Sequence, residues 1–246
     1  MKKWIVAVAA VASSLTVLTA CGGQEEAPSG SIVDFSKVDE SSIQYVQLQK
    51  PENGQQMAVI NLTFHDQSTG TIKAVLYPDY APKTVQNFIN RVNEGYYNNS
   101  SVFSIQQDLF FLAGSNEAGH AWKTDDGEPI PNEYSQNLWP FTGALCAVGD
   151  NADTSDSRFM IINDYQVPES LEQEAESVGF PRSVMEKFKE IGGVPTVWGQ
   201  YTIFGQVIEG IDVIEKVMEV PYDFTNYKPI EAVTITDITM TTYQEP

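Results

Sequence analysis

Short runs of β-forming residues, separated by turn residues, recur along most of the chain and constrain its fold more than any other feature. Two of these runs, 57–64 and 71–77, flank a polar segment that ends in glycine, so we expect a β-hairpin there. The run 232–240 is rich in Val, Ile and Thr and predicts a closing strand. Two other segments, 81–94 and 211–218, have apolar residues at helical spacing and predict the principal helices. We therefore expect one mainly β domain, because a chain of this size is long enough to bury a single core.

The N-terminus has the composition of a secretory signal peptide. Lys2 and Lys3 supply positive charge, and an apolar run with small residues follows up to Leu18. The sequence then passes through Thr19 and Ala20 to Cys21, which resembles the lipobox of bacterial lipoproteins, where the cysteine thiol receives a lipid. The alternative is a transmembrane anchor, but the run is shorter than the roughly 20 residues that a spanning helix needs. We expect residues 1–20 to be a lipoprotein signal peptide.

A lipoprotein signal peptide also predicts the location of the protein in the cell. With a lipid on Cys21, the protein would be extracytoplasmic and anchored to the bacterial cell membrane. Residues 21–42 are rich in Gly, Ser, Pro and acidic residues, which predicts a flexible tether leading to a domain at 43–246. The formal net charge of −19 argues against nucleic-acid binding, since that needs clustered Lys and Arg. It also argues against adsorption on anionic lipid, so the lipid anchor is the expected membrane contact.

The remaining reactive side chains predict little chemistry of their own. Cys146 lies in an apolar run and is expected to be a small buried core residue, so we expect no disulfide framework. His65 and His120 are isolated from other ligands at metal spacing, and we expect no metal site.

Several motifs follow one another along the domain. They are Tyr77–Phe88, Glu94–Tyr97, Phe110–Gly114, Gly143–Val148, Ser157–Ile161 and Tyr201–Ile214. This ordered set resembles the cyclophilins, which are peptidyl-prolyl cis/trans isomerases. The resemblance implies a closed eight-stranded antiparallel β-barrel capped by two helices. It also implies an enzyme without a cofactor that acts on proline-containing polypeptides, and we expect the protein to be a monomer.

The resemblance also implies a peptide-binding site. The residues that it places there are Phe110, Phe111, Ala113, Val148, Gly149, Met160, Val197 and Tyr201. Most of them are apolar and would form a slot for the proline ring. The alternative is that they are ordinary core residues, as apolar stripes usually are.

The polar groups of the family's site are replaced in this chain. The family's catalytic arginine falls on Ile105, the glutamine that braces it falls on Ala113, and the asparagine of the peptide-binding loop falls on Gly149. Because isoleucine donates no hydrogen bond, we expect reduced isomerase activity. Arg158, at the position of a second glutamine of the family's site, is the candidate for a catalytic role in its place. The alternative is an ion pair between Arg158 and an aspartate of the preceding loop: Asp150, Asp153 or Asp156.

An insertion at about 165–195 has no counterpart in the family's pattern. Two segments within it, 168–179 and 181–192, each begin with proline and end with glycine, which predicts two short helices. They should lie beside the groove, as a lid, as a partner surface or as a solvated loop.

Two functions remain in competition for this chain. The first is a peptidyl-prolyl isomerase of the cell envelope that assists the folding of exported proteins, with reduced activity. The alternative is a non-catalytic cyclophilin-like module that binds proline-containing peptides or an envelope partner. A solute-binding lipoprotein is a third possibility, but proteins of that class usually need two lobes, which the single predicted domain does not supply.

Overall fold

The computed structural model describes residues 35–115, 124–151 and 153–245. The predicted signal peptide, the lipidation site Cys21 and most of the predicted tether lie outside these residues. Within the described part of the chain, no helix is both long enough and apolar enough to cross a bilayer.

Strands dominate the domain, and helices lie between them. The strands are β1 Gln56–Phe64, β2 Thr69–Leu76, β3 Ser100–Ser101, β4 Ser104–Gln106, β5 Phe110–Ala113, β6 Ile130–Pro131, β7 Ala144–Val148, β8 Thr154–Ser155, β9 Arg158–Ile162, β10 Thr202–Glu209 and β11 Val233–Thr242. The α-helices are α1 Pro82–Asn93, α2 Glu169–Ser177, α3 Arg182–Ile191 and α4 Ile211–Met218. The predicted hairpin, the two principal helices, the closing strand and the two helices of the insertion are all confirmed.

One curled antiparallel sheet contains nine of these strands, in the order β3-β11-β1-β2-β10-β7-β9-β5-β4. The mainly β fold is therefore confirmed, with nine strands in place of the predicted eight. Ser100–Gln106 links the two ends of the sheet, because its first residues pair with β11 and its last residues pair with β5. Closure into a complete barrel stays a prediction.

The sheet is apolar on both faces, and different elements cover each face. Side chains of α1 and α4, including Phe88 and Ile214, pack with Leu62, Phe111 and Phe204 on what we call the helix face. The opposite face carries its own apolar cluster, which loops of the chain cover; we call it the loop face. Alternate residues of each strand point to opposite faces, so a one-residue change of register exchanges them.

Helix α1 begins without a cap from its own sequence. Pro82 stands in the first turn, and Ala81, the preceding residue, has no side-chain oxygen to accept a hydrogen bond. The carboxylate of Glu133 supplies it from a distant loop, accepting the backbone N–H groups of Lys83 at 3.1 Å and Thr84 at 2.9 Å. A negative charge at this end of the helix also complements the helix dipole.

A third apolar cluster joins the insertion to the N-terminal segment. Phe180 and Phe188 of the insertion pack with Trp139, and Phe35 lies 5.0 Å from the ring of Phe180. Phe35 also stacks on Trp198, with ring centroids 5.5 Å apart. Aromatic contacts therefore pack Phe35, within the predicted tether, against the insertion and Trp198, and the domain boundary at residue 43 stays a prediction.

Candidate active site

The loop face brings together most of the apolar residues predicted for the proline slot. Phe110, Val148, Met160 and Val197 are buried in one cluster, and Tyr201 packs against its edge. Strand register explains this grouping, because Met160 of β9 lies opposite both Leu112 of β5 and Cys146 of β7. Directly paired residues of antiparallel strands share a face.

Phe111 and Ala113 are not brought to this cluster. Both belong to the core of the helix face, together with Ile105, which lies directly opposite Phe111. The physical reason is the alternation of side chains along β5, which sends Phe110 and Leu112 to one face and Phe111 and Ala113 to the other. Sequence comparison assigns both Phe110 and Phe111 to the site, but neighbouring residues of a strand point to opposite faces of the sheet.

Ile105, at the position of the family's arginine, therefore points away from the slot. Its side chain is 0% exposed, and its backbone N–H donates to the carbonyl oxygen of Tyr227 at 2.8 Å. The loop-face positions of β4 are Ser104, opposite Leu112, and Gln106, opposite Phe110. These two polar residues beside the slot were missed by sequence comparison. The alternation of the strand, counted outward from a buried Ile105, is the signal that identifies them.

Gly149 is required by close backbone packing. A Cβ atom at this position would lie 2.2 Å from the carbonyl oxygen of Thr154, a distance that side chains do not tolerate. The asparagine that the family places here would therefore require the β7–β8 loop to move. Gly149 contributes no side chain to the site.

Arg158 shares the loop face with Met160, two residues further along β9, but its guanidinium group is already paired. Its Nε donates to Oδ1 of Asp156 at 3.0 Å, and its Nη2 donates to Oδ1 of Asp150 at 2.6 Å. Burial alone would lower the pKa of Arg158, but the hydrogen bonds and charges of Asp156 and Asp150 outweigh it and raise this pKa. Asp153 is absent from these pairs. The predicted ion pair is confirmed, with Asp156 and Asp150 as partners.

The slot itself is nearly filled. Phe110 is 2% exposed and Met160 is 1% exposed, since Leu138 and Val194 pack over the same cluster. The pocket beside it, lined by Tyr201, Leu138, Trp198 and Ile203 among others, has a volume of about 10 Å³. That is room for about one water molecule. A proline ring would enter only if the covering loops separated.

Two groups at the slot, the partly buried Tyr201 and the buried Cys146, stay protonated near neutral pH. Burial raises the pKa of Tyr201 to about 12, so its hydroxyl can donate a hydrogen bond throughout the physiological range. Cys146 is 0% exposed, which confirms that it is a buried core residue, and this burial raises the pKa of its thiol. A neutral buried thiol is a weak nucleophile.

A larger groove lies elsewhere, between the N-terminal segment and β2. Its volume is about 580 Å³, and its lining includes Gln44, Gln55, Tyr77 and Tyr80. None of the residues predicted for the site lines it. In the described part of the chain, no group of three or more His, Cys, Asp or Glu side chains is placed to hold a metal ion.

Fold and site together define a protein built on a curled antiparallel sheet, with an aromatic and aliphatic slot on one face. Residues 60–240 match the model of the family described as cyclophilin type peptidyl-prolyl cis-trans isomerase/CLD. A putative peptidyl-prolyl cis-trans isomerase of Staphylococcus saprophyticus is 32% identical over 198 residues, covering 79% of this chain and 96% of that protein. One from Staphylococcus aureus strain NCTC 8325 is 28% identical over 187 residues, covering 74% of this chain and 92% of its own length. The chain belongs to the cyclophilin-type peptidyl-prolyl cis/trans isomerase family, and its enzyme class is that of the prolyl isomerases.

Solved structures agree on the fold. A crystal structure of a cyclophilin type isomerase of Cryptosporidium parvum has a TM-score of 0.59 at 21% identity, covering 78% of this chain and 99% of that one. A second structure of the same protein, in the presence of the dipeptide Ala-Pro, has a TM-score of 0.58 at 20% identity, covering 77% and 99%.

Proposed function

We propose that this protein is a prolyl isomerase of the cell envelope that assists the folding of exported proteins, and that it turns over slowly. The observation that carries the proposal is the make-up of the loop face. Its apolar slot retains Phe110, Met160 and Val197, whereas the arginine position, Ile105, points into the opposite core. The site therefore keeps the surface that would hold a proline ring and lacks the charged donor.

The chemistry explains why this combination would be slow. Rotation about an X–Pro bond is opposed by amide resonance, with a barrier of roughly 18–20 kcal/mol. A catalyst lowers this barrier by binding the twisted amide more tightly than the planar one. Here Ser104 and Gln106 on β4 offer neutral donors beside Phe110. Neutral hydrogen bonds are roughly half as strong as those from a charged group.

Activity of the wild-type protein is the first test. We expect cis/trans exchange of a proline tetrapeptide, followed by NMR exchange spectroscopy, to be on the order of 100- to 1,000-fold slower than with a cyclophilin that carries the arginine. Tyr201→Ala should slow it further by removing the ring at the mouth of the slot, whereas Tyr201→Phe should keep binding intact. A wild-type rate equal to that of the arginine-containing enzyme would contradict the proposal.

A non-catalytic peptide-binding module is the second candidate, and the ion pairs of Arg158 favour it. Asp156 and Asp150 engage its guanidinium group, and Ile105 lies in the opposite core, so neither position offers a charged donor to a twisted amide. The two candidates differ in one result. A module would bind the tetrapeptide without accelerating its exchange, whereas the isomerase accelerates the exchange measurably above the uncatalysed rate.

The lipid anchor is proposed from the sequence around Cys21, and it has its own test. Cys21→Ser removes the thiol that would accept the lipid, so we expect the protein to leave the membrane fraction or to stay as an uncleaved precursor. Metabolic labelling with a fatty acid measures this directly, with Cys146→Ser as the matched control. Equal labelling of Cys21→Ser and wild type would show that the anchor lies elsewhere.

A further inference from the structure

The loop between α4 and β11 exposes apolar side chains beside the edge of the candidate site. Phe224 is 75% exposed and Ile230 is 69% exposed. The ring of Tyr222 lies 4.9 Å from that of Phe224 and 6.4 Å from that of Tyr227, stacked on the latter. We call these four residues the aromatic loop patch. Single exposed apolar residues are common on protein surfaces, but a contiguous group of them usually marks a binding surface.

This loop is held in place by its own hydrogen bonds. The Asp223 carboxylate accepts from the Thr225 backbone N–H at 2.8 Å and from Asn226 Nδ2 at 3.1 Å. The Asp223 backbone N–H donates to the carbonyl of Lys228 at 2.9 Å, which closes the base of the turn. Phe224 is therefore presented to solvent by a braced turn, which lowers the entropy that a partner must overcome on binding.

Two hydrogen bonds connect the patch to the edge of the sheet. The hydroxyl of Tyr222 donates to Oε1 of Gln107 at 2.9 Å, in the turn between β4 and β5. The carbonyl oxygen of Tyr227 accepts from the backbone N–H of Ile105 at 2.8 Å, on the outer edge of β4. Tyr227 holds a φ of 60°, which is uncommon for a residue with a side chain. The loop backbone thus lies against the outer edge of β4, the strand that carries Ser104 and Gln106, while the ring of Tyr222 also packs against the helix-face core.

We propose that the aromatic loop patch is a second subsite for the polypeptide substrate, and that it binds an aromatic or large aliphatic side chain at a fixed distance from the proline. This inference rests on the proposed function of the loop-face slot. The occupant it specifies is an unfolded, proline-containing segment, since only an extended chain can reach both places.

Strand spacing sets the distance between proline and anchor residue. Neighbouring strands are about 4.8 Å apart, so the loop backbone lies about 10 Å from β5 and about 14 Å from β9. An extended chain advances about 3.3 Å per residue. A segment with its proline at Phe110 and Met160 would therefore place a residue about three or four positions away on Phe224 and Ile230.

Fluorescent peptides of about eight residues with a single proline test this inference. One series carries phenylalanine four positions before or after the proline, and the matched series carries alanine there. We expect the better phenylalanine peptide to bind wild type about tenfold more tightly than its alanine partner. The double variant Phe224→Ser/Ile230→Ser should abolish that preference, and its exposed positions should leave stability almost unchanged. Val178→Ser, which removes an exposed apolar residue of the insertion, is the control and should preserve it.

The outcomes separate the subsite from the catalytic proposal. A phenylalanine preference that survives in the double variant overturns the inference, and so does a wild type that shows no preference or binds no peptide. Turnover of the proline tetrapeptide, which is too short to reach the patch, should be equal in wild type and in the double variant. A protein that fails to turn over the tetrapeptide but keeps the phenylalanine preference contradicts the catalytic proposal and supports the subsite.

Discussion

Ile105→Arg is expected to destabilise the protein strongly rather than to restore the family's catalytic group. Ile105 is 0% exposed in the helix-face core and lies opposite Phe111. An unpaired charge in such a place costs several kcal/mol after relaxation. Since a domain of this kind has only about 5–15 kcal/mol of stability in total, that cost is a large part of it. Urea unfolding followed by circular dichroism measures the loss, and adding Ala113→Gln should enlarge it because Ala113 is buried on the same face.

Gln106→Arg is the matched variant on the other face of the same strand. Gln106 lies opposite Phe110 at the edge of the slot and is 8% exposed, and its own side chain there is already polar. We expect this variant to fold and to exchange the proline tetrapeptide faster than wild type. If Ile105→Arg instead proved stable and active while Gln106→Arg did not, the assignment of Ile105 to the helix face and Gln106 to the loop face would be wrong.

Local patterns in the sequence predict the elements well. The hairpin follows from two β-forming runs about a short turn, and α1 and α4 follow from apolar residues at helical spacing. The two helices of the insertion follow from proline at the start and glycine at the end. Each of these signals lies within the element that it predicts or directly beside it, which is why the sequence alone suffices.

Local sequence patterns do not predict features that depend on residues far apart in the chain. The cap of α1 comes from Glu133, some fifty positions along the chain, and no local pattern announces it. Phe35 lies in a segment whose composition is polar, yet its ring is held by Phe180 and Trp198. An aromatic side chain in a polar segment is a signal that favours local packing over a free tether.

The residues of the candidate site also depend on contacts between segments that are distant in sequence. Family resemblance identifies Phe110, Met160 and Val197 for the slot, and the structure groups them. It also selects Phe111 and Ala113, which alternation sends to the opposite face. The register of a strand determines which of its residues face the site. Pairing with neighbouring strands fixes this register, and the sequence of the strand alone does not.

Arg158→Met is expected to destabilise the protein by about 3–5 kcal/mol, because it removes one partner of a buried ion pair. Asp156, buried beside it, would lose its charged partner while remaining out of water. Burial already raises the pKa of the Asp156 carboxyl, and the loss of Arg158 would raise this pKa further. A carboxyl group whose folded-state pKa is raised destabilises the protein above that pKa. The deficit of Arg158→Met should therefore shrink as the pH is lowered from neutral.

The double variant Arg158→Met/Asp156→Asn separates this structural role from a catalytic one. Asparagine keeps an oxygen that can accept from the backbone N–H of residue 158, where Asp156 Oδ1 now accepts at 2.8 Å. Since no buried charge is then left unpaired, we expect most of the stability to return and the pH dependence of the deficit to disappear. Tetrapeptide exchange per folded molecule should match wild type, because the guanidinium group is engaged with Asp156 and Asp150. A stable double variant with exchange reduced tenfold or more would instead assign the missing donor to Arg158.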